Sequence, residues 1–143
     1  MREVARSALI PFSAEQAFSV VADVESYSSF LPWCAESQIV SMEGDQLIGK
    51  LTLAKSGIRQ SFVTENLLVP PSGMTMTLVD GPFQSLEGDW FFEPLGADGV
   101  KVSLKLGFEF KSKLLDQTFG RVFSVAADTM VDAFSSEIAK RYG

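Results

Sequence analysis

From Ser112 to Tyr142 the chain carries no proline, and its apolar residues recur at intervals of three and four. Leu115, Phe119, Val122, Phe123, Ala126, Met130, Ala133 and Phe134 fall on one helical face, with Gln117, Arg121, Ser124, Asp128, Asp132 and Ser135 opposite. Ser112 is a suitable N-cap, because its hydroxyl can accept a bond from one of the first free helix amides. The pattern predicts one helix of about 45 Å, roughly the width of a domain of this size. A helix with so wide an aromatic stripe needs a large concave partner, and the preceding sequence supplies strands to build one.

Glu3 to Pro11 reads as a first strand. Ser13 and Gln16 have capping-box spacing, and Ala17, Phe18, Val20, Val21 and Val24 form the apolar side of a helix. Tyr27, Phe30 and Leu31 make a second helical turn that Pro32 stops. Strands are then predicted at 36–43 and 46–55 around a Gly44-Asp45 turn, at 58–69, and on both sides of Gly81-Pro82. The last strand is the cleanest. Val100, Val102, Leu104, Leu106, Phe108 and Phe110 face one way, while Lys101, Ser103, Lys105, Glu109 and Lys111 face the other. Strict alternation puts one face in the core and one in water. Short turns make the sheet antiparallel. The expected architecture is α+β: a curved antiparallel sheet of about seven strands wrapped around one long C-terminal helix, with two short helices after strand 1. Residues 1–143 read as a single domain.

Composition removes much chemistry. The chain has no histidine and one cysteine, Cys34. A Ser-His-Asp triad, a Cys-His pair, histidine metal sites, an internal disulfide and multi-cysteine zinc sites are therefore excluded. No phosphate-binding glycine loop is present, and no carboxylates have metal spacing. Glu87, Asp89, Glu93 and Glu109 fall on outward positions, where a solvated face explains them. A formal charge of −6 argues against DNA as a partner. Met1 to Phe12 lacks the apolar run of a secretory signal. No stretch has the length of a membrane span, so the expected location is the cytoplasm, with at most peripheral contact at the inner membrane.

What remains is an aromatic, flexible interior. A sheet closed by one helix is often incompletely filled, and the remainder is a pocket. Gly88 among large neighbours and Gly120 within the long helix each remove a side chain near that space; simple tolerance is the alternative. The connection Tyr27 to Cys34 carries three aromatic residues. Exposed beside a pocket mouth they would contact a ligand or partner; folded back, Phe30 and Trp33 would plug the end of the sheet.

Tyr27-x-x-Phe30-Leu31-Pro32-Trp33-Cys34 resembles the signature of the coenzyme Q-binding START-domain family, within the polyketide cyclase-like, helix-grip superfamily. Asp80-Gly81-Pro82-Phe83 with Leu86, Gly88 and Trp90 is similar to the family's central motif. Phe108-x-Phe110, Phe119-Gly120-Arg121-Val122-Phe123 and Met130-Val131-x-Ala133-Phe134 are similar to its closing strand and helix. Leu9 to Gln16 also resembles the bacterial ribosome association toxins of that superfamily.

The resemblance implies a helix-grip fold and two non-enzymatic functions. One is to bind a lipophilic small molecule, ubiquinone, in support of respiration; no other cofactor is implied. The expected contacts are Phe30, Leu31, Pro32, Trp33, Phe62, Met76, Leu78, Trp90, Phe92, Phe119, Phe123 and Met130, with Phe30 and Trp33 at the mouth. The other is to bind the large ribosomal subunit and block its joining to the small one. Lys101, Lys105 and Lys111 would offer the surface, with Lys50, Lys55 and Arg59 near; solubility and edge protection also explain these lysines. A third class, cyclase or aromatase enzymes, would need polar groups at inward positions that are almost wholly apolar here.

Overall fold

The computed structural model describes residues 1–143. The elements are β1 (Arg2–Ile10), α1 (Ala14–Ala22), a 3-10 turn (Val24–Ser26), α2 (Tyr27–Phe30), β2 (Cys34–Glu43), β3 (Gln46–Lys55), β4 (Ile58–Val69), β5 (Gly73–Asp80), β6 (Phe83–Leu95), β7 (Gly99–Phe110), α3 (Lys113–Gln117) and α4 (Phe119–Tyr142). One seven-stranded sheet runs in the order β1-β7-β6-β5-β4-β3-β2, and every neighbouring pair is antiparallel. β1 and β2 therefore lie at opposite edges. The chain crosses between them through α1, which packs on α4, β6 and β7, and α2, which ends beside β2.

Local chemistry sets the boundaries. Ser13 Oγ accepts from the Gln16 amide at 3.1 Å, and the Ser13 amide donates to Gln16 Oε1 at 3.0 Å, so the capping box is closed at both bonds. All six apolar positions of β7 from Val100 to Phe110 are buried, as their alternation requires. β6 keeps Leu86, Gly88, Trp90 and Phe92 inward, and an irregularity between Phe83 and Ser85 brings Phe83 inward as well.

The C-terminal helix differs from the expectation in one respect: it is two helices. Thr118 leaves helical geometry at φ −104° and ψ −83°. Its amide and its hydroxyl both donate to Leu114 O, at 3.0 and 2.8 Å, and so close α3. The break lets Phe119 enter the core completely while α3 buries no residue and leaves Leu114 70% exposed. Periodicity continued through Thr118 because Leu115 and Phe119 keep helical spacing across the interruption. The partner predicted for the stripe is present: α4 buries Phe119, Val122, Phe123, Ala126, Ala127, Val131, Phe134 and Ile138.

Two aromatic groups fill much of the space between sheet and helix. Phe83 makes ring contacts with Phe62, Phe110, Phe119 and Phe123, and Phe108 joins through Phe110 and Phe123, with centroid distances from 4.8 to 5.9 Å. Around Phe134 lie Tyr27, Phe30 and Trp90, at 5.0 to 5.3 Å. Mostly edge-to-face geometry holds each group, and each pair adds about 0.5–1.5 kcal/mol beyond burial.

Candidate functional site

A cavity of about 50 Å³ touches both aromatic groups. Its wall comes from Val24, Tyr27 and Trp33 in the crossing segment, from Gly49, Leu51, Phe62, Thr64, Asn66, Met76, Leu86, Gly88, Trp90 and Leu106 in β3 to β7, and from Phe123 and Met130 in α4. Trp33, Phe62, Met76, Trp90, Phe123 and Met130 were expected on sequence grounds to meet a ligand, and the fold brings these together. The other six expected contacts lie off the wall. Leu31, Phe92 and Phe119 are ordinary core, Phe30 and Leu78 are half-buried against that core, and Pro32 is exposed.

The connection Tyr27 to Cys34 does not form an aromatic mouth. Phe30 folds back against Phe134 and Tyr27, and Trp33 is 5% exposed within the wall. The wall residues that keep partial exposure are Leu51, Met76 and Met130, which place the opening between β3, β5 and α4. Of the two glycines, Gly88 lines the cavity and Gly120 does not. A Cβ on Gly88 would lie 2.8 Å from Met76 Cε, so the methionine's end occupies the room the glycine leaves. A Cβ on Gly120 would meet Phe110 at 3.2 Å, a core contact away from the wall.

Thr64 and Asn66 are the polar wall residues that sequence reasoning missed. Their signal was parity: both share the inward face of β4 with Phe62. Thr64 Oγ1 donates to Asn66 Oδ1 at 2.8 Å. The Tyr27 hydroxyl donates to Val21 O, and burial, with Asp23 nearby, pushes its pKa well above the ordinary tyrosine range. Trp33 Nε1 is buried and has no acceptor in the protein. Cys34 is buried, its thiol donates to Glu36 O, and burial pushes its pKa up to about 11, away from thiolate chemistry. No group of three or more His, Cys, Asp or Glu could hold a metal. The wall's Tyr27 and Thr64 hydroxyls donate within the protein, and no carboxylate, histidine or thiol lines the cavity.

Size limits what the closed cavity can take. An apolar cavity that admits benzene is about 150 Å³, so a quinone ring does not fit until the wall moves. Met76 and Met130 are the residues able to move, since the unbranched thioether changes shape at little cost.

The lysines expected to form a ribosome-facing surface do not make a positive stripe. Lys105 pairs in register with Asp89, and Lys101 with Glu93, so each faces an acid on the next strand. β7 lies between β1 and β6, which removes the edge-protection reading. Lys50, Lys55 and Arg59 are not near: they lie on β3 and β4, across β6 and β5 from β7, and Arg59 is paired with Glu36 at 2.9 Å. Lys111 lies elsewhere, in a polar cleft shared with Arg2, Lys113, Glu109 and Asp116.

Residues 10–135 match the family model described as polyketide cyclase / dehydrase and lipid transport. The chain is 43% identical to the ribosome association toxin RatA of Vibrio cholerae over 143 residues, covering 100% of this chain and 99% of the relative. It is 30% identical to the mitochondrial coenzyme Q-binding protein COQ10 homolog B of Xenopus laevis, over 99% of this chain and 59% of the relative. Among solved structures, the Zhui aromatase/cyclase of a Streptomyces species superposes with a TM-score of 0.88 at 16% identity, covering 99% of this chain and 96% of that one. At that identity the likeness is one of fold.

Proposed function

We propose, from the premise that this chain belongs to the polyketide cyclase / dehydrase and lipid transport family, that it is a ribosome-associating protein of the RatA type. The observation that carries this reading is the 43% identity with that toxin along the full length of both chains. In this reading the protein docks on the large ribosomal subunit and hinders joining of the small one. It is a binding domain with no reaction of its own, and no helix is long and apolar enough to cross a membrane.

Sucrose-gradient sedimentation of purified subunits with the protein tests the reading. The expected result is comigration with the large subunit and fewer joined ribosomes; free protein at low salt overturns it. The polar cleft at the end of β7 is the proposed contact, because Arg2, Lys111 and Lys113 outnumber Glu109 and Asp116 there. Replacing Lys111 and Lys113 by glutamate is expected to weaken binding and its salt dependence, since phosphate contacts release counterions. The same change at Lys101 and Lys105 is expected to do little, because an acid already faces each lysine.

A second reading is favoured by the cavity: it accepts a neutral lipophile after Met76 and Met130 move. The name of the Xenopus relative makes a quinone one candidate. Protein purified without detergent from a quinone-producing bacterium, then extracted with organic solvent, is expected to release close to one such molecule per chain by mass spectrometry. Protein that comes out empty and takes up no added quinone removes the quinone.

A further inference from the structure

We infer that the cavity reads a hydrogen-bond acceptor: among apolar molecules it selects those carrying a neutral acceptor oxygen, as in a ketone, an ester or a quinone carbonyl. The inference rests on the second reading above, that the cavity takes an apolar ligand. It adds which polar feature that ligand must have and which residues recognise it.

The wall holds a small, unbalanced set of polar groups. The Tyr27 hydroxyl is committed to Val21 O. The Thr64 hydroxyl is committed to Asn66 Oδ1 at 2.8 Å, which turns the amide's oxygen toward Thr64 and leaves its NH₂ group with no acceptor in the protein. Trp33 Nε1–H is buried with no partner at all. Trp33 is 5% exposed and its Nε1 atom is fully buried, so bulk water does not serve that donor. A buried N–H without an acceptor is costly, and folded proteins seldom leave one. The wall atom that is fully buried and unpartnered is thus a donor, Trp33 Nε1. No lysine or arginine lines the cavity, so a carboxylate would enter without a counter-charge. A hydroxyl oxygen can accept from Trp33 as well, but its own proton then needs one of the lone pairs left on Thr64 Oγ1 or Asn66 Oδ1. A carbonyl oxygen accepts from Trp33 and brings no such proton.

Trp33 and Trp90 are the only tryptophans in the chain, and both line the cavity. Their two indole N–H signals can therefore be followed by nitrogen-proton correlation NMR while the protein is titrated with decane, 2-decanone, 1-decanol and decanoate. The expected result is a downfield move of the Trp33 signal with 2-decanone and none with decane, the Trp90 signal serving as reference. Calorimetry on the Trp33→Phe variant is expected to show about tenfold weaker binding of 2-decanone and unchanged binding of decane, one lost hydrogen bond in a dry site. Asn66→Leu gives a second, independent variant, and the NMR titration of the unaltered protein stands if either fails to fold. If decane and 2-decanone bind equally and Trp33→Phe changes neither, the acceptor inference is overturned while the ligand reading survives. Decanoate binding most tightly also overturns it. If none of the four binds, the ligand reading itself fails, and the inference falls with it.

Discussion

The aromatic group around Phe83 and the cavity beside it lie under the same sheet and helix but are filled differently. Around Phe83, rings from β4, β6, β7 and α4 interlock at centroid distances of 4.8 to 5.9 Å. No opening reaches Phe83, which is 1% exposed. Beyond Phe62 and Phe123 the wall changes character. Two glycines, two methionines and a Thr-Asn pair replace the phenylalanines, and about 50 Å³ stays empty. Backbone curvature is common to both regions, so the cavity follows from side-chain shape. Rings of matched size close a curved sheet, whereas glycine, which adds no volume, and methionine, which adapts, leave or yield space.

Truncation gives the largest contrast between the regions. Phe83→Ala removes a ring that touches four others, and it is expected to cost about 3–5 kcal/mol, because the neighbours cannot collapse into the hole. Met130→Ala enlarges a space that is already open and partly exposed, and it is expected to cost about 1 kcal/mol. Urea unfolding of both variants measures the difference. Equal losses would mean that the cavity region is as tightly packed as the other.

Adding a methyl group probes the same contrast from the opposite side. A Cβ on Gly120 meets Phe110 Cε2 at 3.2 Å and Asp116 Oδ1 at 3.0 Å. Phe110 is stacked on Phe83 at 4.9 Å and cannot give way. Alanine gains about 1 kcal/mol in helix propensity, overpacking costs about 1–3 kcal/mol, and the net expectation is a loss of about 1 kcal/mol. At Gly88 the obstacle is the free end of Met76, so Gly88→Ala is expected to lower stability by less than about 1 kcal/mol while reducing ligand capacity. Thermal melting with a lipophile titration separates the two, and a larger melting loss at Gly88 would reverse the comparison.

The fold was legible because each local signal agreed with the global one. Alternation from Val100 to Phe110 names the inward face of β7 without help, and the Ser13 and Ser112 caps stand where their hydroxyls can reach free amides. The break at Thr118 was not legible, because periodicity does not see a side chain that caps its own helix. The cavity was half legible. Inward parity found Phe62, Met76 and Trp90, but parity alone cannot separate a residue that faces a void from one that faces another side chain. Phe92 shares the pattern and meets only core. Thr64 and Asn66 were missed because polar side chains at inward positions carry no apolar signal, and their parity with Phe62 is the only mark they leave. The surroundings of Lys101 and Lys105 were not legible for a related reason: a stripe on one strand says nothing about the acids that register places opposite it.

The smallest predicted effect asks whether the cavity region, although unfilled, is as dry as the filled one. Tyr27 lines the cavity and Cys34 follows the wall residue Trp33 in the chain; burial raises both pKa values, that of Cys34 from 9.0 to about 11. Between those values the unfolded chain has released a thiol proton that the folded chain retains. The unfolded state then binds fewer protons, so stability falls as pH rises. The contribution is zero below the unfolded value, grows from pH 9 upward, and stops growing once the folded thiol ionises. Tyr27 adds a fall of the same sign, but only above the ordinary tyrosine value of 10.0. A comparison of pH 8 with pH 9.5 therefore isolates the cysteine. Unaltered protein is expected to lose up to about 1 kcal/mol more than Cys34→Ala over that interval, measured as the shift in urea midpoint. Parallel pH profiles for the two would mean that water reaches the thiol in the native state, beside the wall residue Trp33.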